Sequence, residues 1–170
     1  MDAASRRQAI LDRLRAADRP VSASALASER NVSRQIIVGD VALLRAAGEN
    51  IFATPRGYVT GREDAGLVRT VACVHRPEDM GRELFTMVDN GCQVLDVVVE
   101  HPVYGQLTGQ LQLRSRYDVE QFLRRVAEHG ARPLSALTGG IHLHSLRCPD
   151  EAACRRVTDA LREAGFLLEE

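Results

Sequence analysis

The spacing of apolar residues changes period once along this chain, and that change decides the architecture. As far as Gly48, apolar residues recur every three to four positions, the repeat of a helix with one buried stripe. From Leu67 onward, stretches that alternate residue by residue take turns with helical stretches. Such a chain builds a helical unit followed by a mixed one, the α+β class. The junction falls in "VTGREDAG", residues 59–66, with two glycines, three charges and little apolar surface. We expect one domain over residues 1–62 and a second over residues 67–170.

The first part contains three helical segments. "SRRQAILDRLRAAD" puts Ile10, Leu11, Leu14 and Ala17 on one side, and Pro20 stops the run. "SASALASER" starts at a serine cap, with Ala25 and Leu26 apolar. Asn31 suits the left-handed conformation of a tight turn. Ser33 then caps "RQIIVGDVALLRAAG", which ends at Gly48. A core of Ile10, Leu14, Leu26, Val32, Ile36, Leu43 and Leu44 is expected. Two short strands, "NIFAT" and "GYVT", follow around Pro55-Arg56. This order is a helix–turn–helix with a β-hairpin wing. Its third helix presents Ser33, Arg34 and Gln35 at its start, side chains suited to phosphates and base edges in a major groove. Arg56 at the wing tip suits phosphate or the minor groove. Gly39 in mid-helix costs about 1 kcal/mol against alanine.

Charge supports a division of labour. Residues 1–62 carry ten arginines and six acids, against twelve and seventeen in the remainder. A basic first part joined to an acidic second is what a DNA-binding module fused to a different module shows. Every basic side chain is arginine. No apolar run reaches the length of a membrane span, and the N-terminus lacks a signal-type apolar block. A cytoplasmic protein with no membrane partner is expected. The cysteines, Cys73, Cys92, Cys148 and Cys154, form no C-x-x-C pair, and packing thiols are the expectation.

In the second part, strand "LVRTVACVH" leads to helix "RPEDMGRELFTMVDNG", strands "CQVLDVVVEH" and "GQLTGQLQLRS", helix "SRYDVEQFLRRVAEHG", strand "GGIHLHSLRC" and helix "PDEAACRRVTDALREAG". Ser115 and Asp118 make a capping box. The order β-α-β-β-α-β-α predicts a ferredoxin-like sandwich with one added helix.

His142 and His144 are two residues apart on a strand and therefore share a face. They are two solvated imidazoles or half of a cation site; spacing alone leaves both open. His75 ends an earlier strand, and Glu83 lies at the edge of the apolar arc made by Met80, Leu84, Met87 and Val88. A carboxylate at that edge wants a partner. Together His75, Glu83, His142 and His144 would suit a borderline divalent ion such as nickel, zinc, cobalt or iron(II), and not calcium or magnesium. His101, in the turn "VEHPVYGQLTG", is a second candidate, able to hydrogen-bond an anionic ligand with Tyr104 and Gly105 beside it.

The motifs "VHRPEDMGREL", "DVVVEHPVYGQLTGQL" and "PLSALTGGIHLHSL" resemble the 3H domain, named for its histidines. The first part resembles the winged helix that precedes that domain in niacin-responsive transcriptional repressors. The resemblance covers nearly the whole chain. It implies a dimeric repressor of NAD-biosynthesis and niacin-uptake genes that binds double-stranded operator DNA, with nicotinic acid as co-repressor. It also implies a transition metal on His75, Glu83, His142 and His144, and His101 matches the remaining motif histidine. We expect nickel or zinc as the ion, and nicotinic acid held near the metal and His101. The alternative in the same class is a regulator whose effector is the metal itself. An enzyme is not expected: a three-histidine, one-glutamate ion can activate water, but no separate general base or nucleophile stands near these motifs.

Overall fold

Oxygen-bearing caps decide where the N-terminal helices begin. Asp2, Ser22 and Ser33 lie in extended backbone, and each side chain accepts the N–H three residues on, opening α1 (Ala3–Arg15), α2 (Ala23–Arg30) and α3 (Arg34–Ala46). The structure is a computed structural model and describes residues 2–61 and 66–169. It divides into two compact units, Met1–Glu63 and Asp64–Glu170. Half of the expected junction, residues 62–65, lies outside the described residues; Val59 and Thr60 belong to a strand.

Asn31 turns α2 into α3 in the left-handed region, at φ 53°. β1 (Ile51–Thr54) and β2 (Gly57–Thr60) pair antiparallel as the wing. Tyr58 exchanges backbone hydrogen bonds of 3.0 and 2.9 Å with Val21, tying the wing to the α1–α2 connection.

Ile10, Leu14, Leu26 and Leu44 are buried as expected, joined by Leu11, Ile37, Val41 and Ile51, with Val32 packed at the margin. Ile36 and Leu43 are not in this core; they are 42% and 56% exposed. The inward face of α3 follows Ile37, Val41 and Leu44, at steps of four and three. Asp40 lies on that same face and is buried, and Arg6 of α1 grips it with bonds of 2.6 and 3.2 Å. That pair helps set the phase of α3, which turns Ile36 and Leu43 outward.

The C-terminal unit runs β3 (Leu67–Val74), a 3-10 turn (Pro77–Asp79), α4 (Met80–Asp89), β4 (Gln93–His101), β5 (Gly105–Leu113), α5 (Arg116–Glu128), a second 3-10 turn (Leu134–Thr138), β6 (Ile141–Cys148) and α6 (Glu151–Glu163). Ser115 accepts the Asp118 N–H and Asp118 accepts the Arg114 N–H, so the expected cap opens α5. The class and the element order agree with the sequence reading.

The sheet is ordered β3-β6-β4-β5, with every neighbouring pair antiparallel. β3 and β4 are therefore parallel with β6 between them, and β5 and β6 parallel with β4 between them. Both helical crossovers are thus split β-α-β units, as in a ferredoxin-like sandwich. The difference is that the unit's fourth strand, not its third, separates the first two. β6 consequently touches both β3 and β4.

The helices cover one face. Leu84 and Met87 of α4, Val119 of α5, and Val157 and Leu161 of α6 pack with Val71, Val94, Leu113 and Leu146 of the sheet. Burying each such side chain contributes about 1.5–3 kcal/mol. Along β6, His142, His144, Leu146 and Cys148 are buried, while Ile141 and Leu143 are exposed on the other face. All four cysteines are free and buried. Burial pushes the thiols of Cys148 and Cys154 up to about 11, so they are protonated packing groups at neutral pH.

Candidate metal centre

The two strand histidines are not solvated. His142 and His144 are each 3% exposed, beneath α4, on the face of the sheet that carries the hydrophobic core. β6 places them one above the other, with ring centroids 4.9 Å apart. Glu83 faces them from α4 and is 1% exposed. His75, just past the end of β3, closes the group, its ring centroid 4.9 Å from that of His142.

The contacts converge on one carboxylate. Glu83 Oε2 lies 2.7 Å from His75 Nε2 and 3.3 Å from His144 Nε2, and Glu83 Oε1 lies 3.0 Å from His142 Nε2. On the far side of each ring, Nδ1 meets a backbone carbonyl: Arg76 at 2.7 Å, Gly140 at 2.8 Å and Asp96 at 2.6 Å for His75, His142 and His144. A carbonyl only accepts, so each Nδ1 must carry the hydrogen and donate it. In a neutral imidazole that leaves the lone pair on Nε2. Three lone pairs then face a carboxylate, which is itself only an acceptor. The arrangement holds together only with positive charge at its centre, as protons on the rings or as a metal ion. Fixing Nδ1–H on carbonyls is also how proteins orient imidazoles for metal binding through Nε2. The donor set fits a borderline divalent ion.

The electrostatics express the same demand. Burial alone would raise the Glu83 carboxyl, but the hydrogen bonds from His142, His144 and His75 outweigh it and hold the group far below the usual carboxylate range. Burial pulls the His75 imidazolium down, but its hydrogen bond to Glu83 and the Glu83 charge more than offset this and hold it above its ordinary value.

Three further residues shape the centre, and the sequence reading assigned none of them to it. Cys73 of β3 pairs directly with His142 across the β3–β6 ladder and is fully buried. Cys73, Glu83 and His142 each bring one ligand atom within 4.8 Å of the others. Burial first, then the Glu83 charge, drives the Cys73 thiol far above its ordinary value. Asp96 lies where β4 holds one residue more than β6, between the pairs Val94–Leu146 and Val98–Leu143. That bulge frees its carbonyl for His144, while its carboxylate accepts the Ser145 N–H at 2.9 Å. Gly140 has φ +97°, and a Cβ there would sit 2.5 Å from the His75 carbonyl oxygen. Only glycine lets the start of β6 pass this close to His75. The visible signal was the paired glycines before "IHLHSL"; the alternation of its strand marks Cys73 as inward-facing but not as part of the centre.

The second candidate set is built differently. His101 ends β4 opposite Gly105, and its Nδ1 accepts the N–H groups of Val103 (3.2 Å) and Tyr104 (3.3 Å). Its proton is therefore on Nε2. These hydrogen bonds stay within the hairpin and do not reach Glu83. Tyr104 is 75% exposed, its ring 5.1 Å from that of His101.

In the N-terminal unit, Arg34 and Gln35 are exposed on the first turn of α3. The Ser33 hydroxyl accepts the Ile36 N–H and so caps the helix. Arg56 sits half-buried at the wing tip and lines a hollow with Arg13, Asp18 and Arg19. Gly39 is exposed, and a Cβ there would meet nothing within 4 Å, so packing inside the unit does not require it. Among the described residues, no helix is long and apolar enough to cross a membrane.

Comparison with known proteins draws these features together. Residues 68–170 match the 3H domain, and residues 6–59 match an HTH domain. A probable transcription repressor NiaR of Thermotoga maritima is 46% identical over 151 residues, covering 89% of this chain and 86% of its own length. A transcription repressor NadR of Bacillus subtilis is 41% identical over 171 residues, covering 98% and 95%. Both relatives are repressors rather than enzymes, in agreement with the sequence reading. The chain belongs to the family of 3H-domain transcription repressors, in which a helix–turn–helix unit precedes the 3H domain.

Proposed function

We propose that this protein represses NAD-biosynthesis and niacin-uptake genes by binding double-stranded operator DNA as a homodimer. Nicotinic acid is the co-repressor, and one divalent transition ion, nickel or zinc, is held per chain. Residues 1–62 are the DNA-binding half and residues 67–170 the regulatory half. One observation carries the reading: three imidazoles, oriented through Nδ1, aim Nε2 at a single buried carboxylate.

His75, Glu83, His142 and His144 would hold the ion, which when bound would supply a Lewis-acid position for the pyridine nitrogen or carboxylate of the co-repressor. The chain's own residues do the rest. His101 offers its Nε2–H to an anionic carboxylate, with Tyr104 and Gly105 beside it. Arg34 and Gln35 read base edges at the start of α3, Ser33 sets the start of that helix, and Arg56 meets phosphate from the wing. Co-repressor binding acts only by favouring the dimer geometry whose two α3 helices match successive half-sites.

A second reading, with the ion alone as effector, is favoured by the burial of the donors. The side chains of His75, Glu83, His142 and His144 are 3%, 1%, 2% and 3% exposed, which offers an organic ligand little open surface. One experiment separates the two. Fluorescence anisotropy of metal-loaded protein on its own upstream promoter DNA is measured with and without nicotinic acid, then after chelation. Tightening that needs both nicotinic acid and metal is the expected result. Binding that follows metal and ignores nicotinic acid establishes the second reading. Binding indifferent to both overturns the function proposed for the regulatory half.

A further inference from the structure

Cys73 is a fully buried thiol at the margin between the core of the C-terminal unit and the four-residue set. It faces inward from β3 directly opposite His142, beside Glu83, the group on which the three imidazoles converge. Two donors on one ion are separated by at most the sum of two metal–donor bonds, about 4–4.6 Å for nitrogen and sulfur ligands. The ligand atoms of Cys73, Glu83 and His142 already lie within 4.8 Å of one another. Small side-chain adjustments place all three on one ion without moving the strands.

We infer that Cys73 is a further ligand of the metal centre, binding through sulfur as a thiolate. This inference rests on the metal-centre reading above. The step is a proton exchange with no redox change: the S–H bond breaks, a sulfur–metal bond forms, and one proton leaves to solvent. A soft sulfur donor narrows the choice of ion. It favours nickel, cobalt and zinc and disfavours magnesium and manganese, which prefer oxygen. Three imidazoles, one carboxylate and one thiolate also leave a six-coordinate ion a single position for an outside ligand. A co-repressor bound to the ion would then attach through one atom.

The test is spectroscopic and uses the full chain. Protein is stripped with chelator and reloaded with cobalt(II) or nickel(II). Bound metal is counted by mass spectrometry, and near-ultraviolet absorption is recorded for sulfur-to-metal charge transfer. The expected result is one ion per chain with a charge-transfer band. In Cys73→Ser the band is lost, and affinity falls at least about tenfold while the remaining donors still bind the ion. A band that persists in Cys73→Ser belongs to another thiol and overturns the inference. Metal bound by the unaltered protein without a band also overturns it and leaves the histidine–glutamate centre standing. If no metal binds, the centre itself is wrong and Cys73 falls with it. Should Cys73→Ser fail to fold, X-ray absorption on unaltered nickel-loaded protein decides. A sulfur scatterer at about 2.3 Å supports the inference, and a shell of nitrogen and oxygen alone at about 2.0–2.2 Å refutes it.

Discussion

Asp40 in the N-terminal unit and Glu83 in the C-terminal unit are both helical carboxylates turned into a core, 4% and 1% exposed. Their surroundings differ in kind. Asp40 is answered by arginines: Arg6 at 2.6 Å and Arg7 at 3.7 Å, both reaching in from α1 with part of their side chains in solvent. A guanidinium is charged at any physiological pH, so this pairing is complete as folded. Glu83 is answered by three imidazoles whose charge is optional. The first arrangement locks one helix against another. The second can exchange what sits at its centre, and that is what a ligand site requires. Burial of a carboxylate does not mark function by itself; the permanence of its counter-charge separates the two cases.

The sharpest way to break this comparison is to remove each carboxylate in turn. Glu83→Gln keeps the shape and takes away the charge. Its new amide N–H can donate to an Nε2 lone pair, so the fold has a way to tolerate the change. Metal affinity is expected to fall by more than about 100-fold, beyond the loss typical of outer-shell partners. The melting temperature in chelator should change little. Isothermal titration with nickel or zinc and a thermal melt read the two quantities. Unaltered metal affinity would mean that Glu83 is only a structural acceptor, like Asp40.

Asp40→Ala should do the reverse. Metal stoichiometry stays at the wild-type value, because the substitution lies in the other unit. The N-terminal unit loses the clamp between α1 and α3. Its melting temperature drops by roughly 5 °C, the scale of one lost, partly solvated charge pair in a domain of this size. Loss of metal in this variant would show that the two carboxylates are not independent.

How far these features could be read in advance varies with how local their causes are. Caps at Ser22, Ser33 and Ser115, the left-handed Asn31 and the order of elements were legible, because each depends on residues within three or four positions. The phase of α3 was not. Ile36 and Ile37 are adjacent and equally apolar, and the choice between them depends on Asp40 finding Arg6, 34 residues away. Strand order in the second unit was equally hidden, since alternation tells a strand which face to bury and not which neighbour to take. The histidines were visible as a pair, but spacing left solvated rings and a cation site equally open, and the family resemblance tipped the balance. Cys73 was invisible as part of the centre because its partnership with His142 depends on a cross-strand register spanning 69 residues. Nothing local distinguishes it from Cys148, which sits on the same inward face and meets the Cys92 thiol at 3.1 Å.

Gly39 tests the remaining function at the smallest expected effect. In the interior of an exposed helix, glycine is less favourable than alanine by about 0.8–1.0 kcal/mol. Its surroundings leave open space for a methyl group. A residue selected for stability alone would not be glycine here. Its neighbours on the outer face of α3 include Ile36 and Leu43, exposed in the free protein, so this surface is available for contact. Gly39→Ala should therefore stabilise the N-terminal unit by about 0.5–1 kcal/mol and at the same time weaken operator binding, because the added methyl group keeps the helix from approaching the DNA as closely. Thermal melts and anisotropy titrations on one preparation read both effects. A more stable protein with unchanged operator affinity would show that the outer face of α3 at Gly39 does not meet DNA, and would confine recognition to the helix start at Arg34 and Gln35.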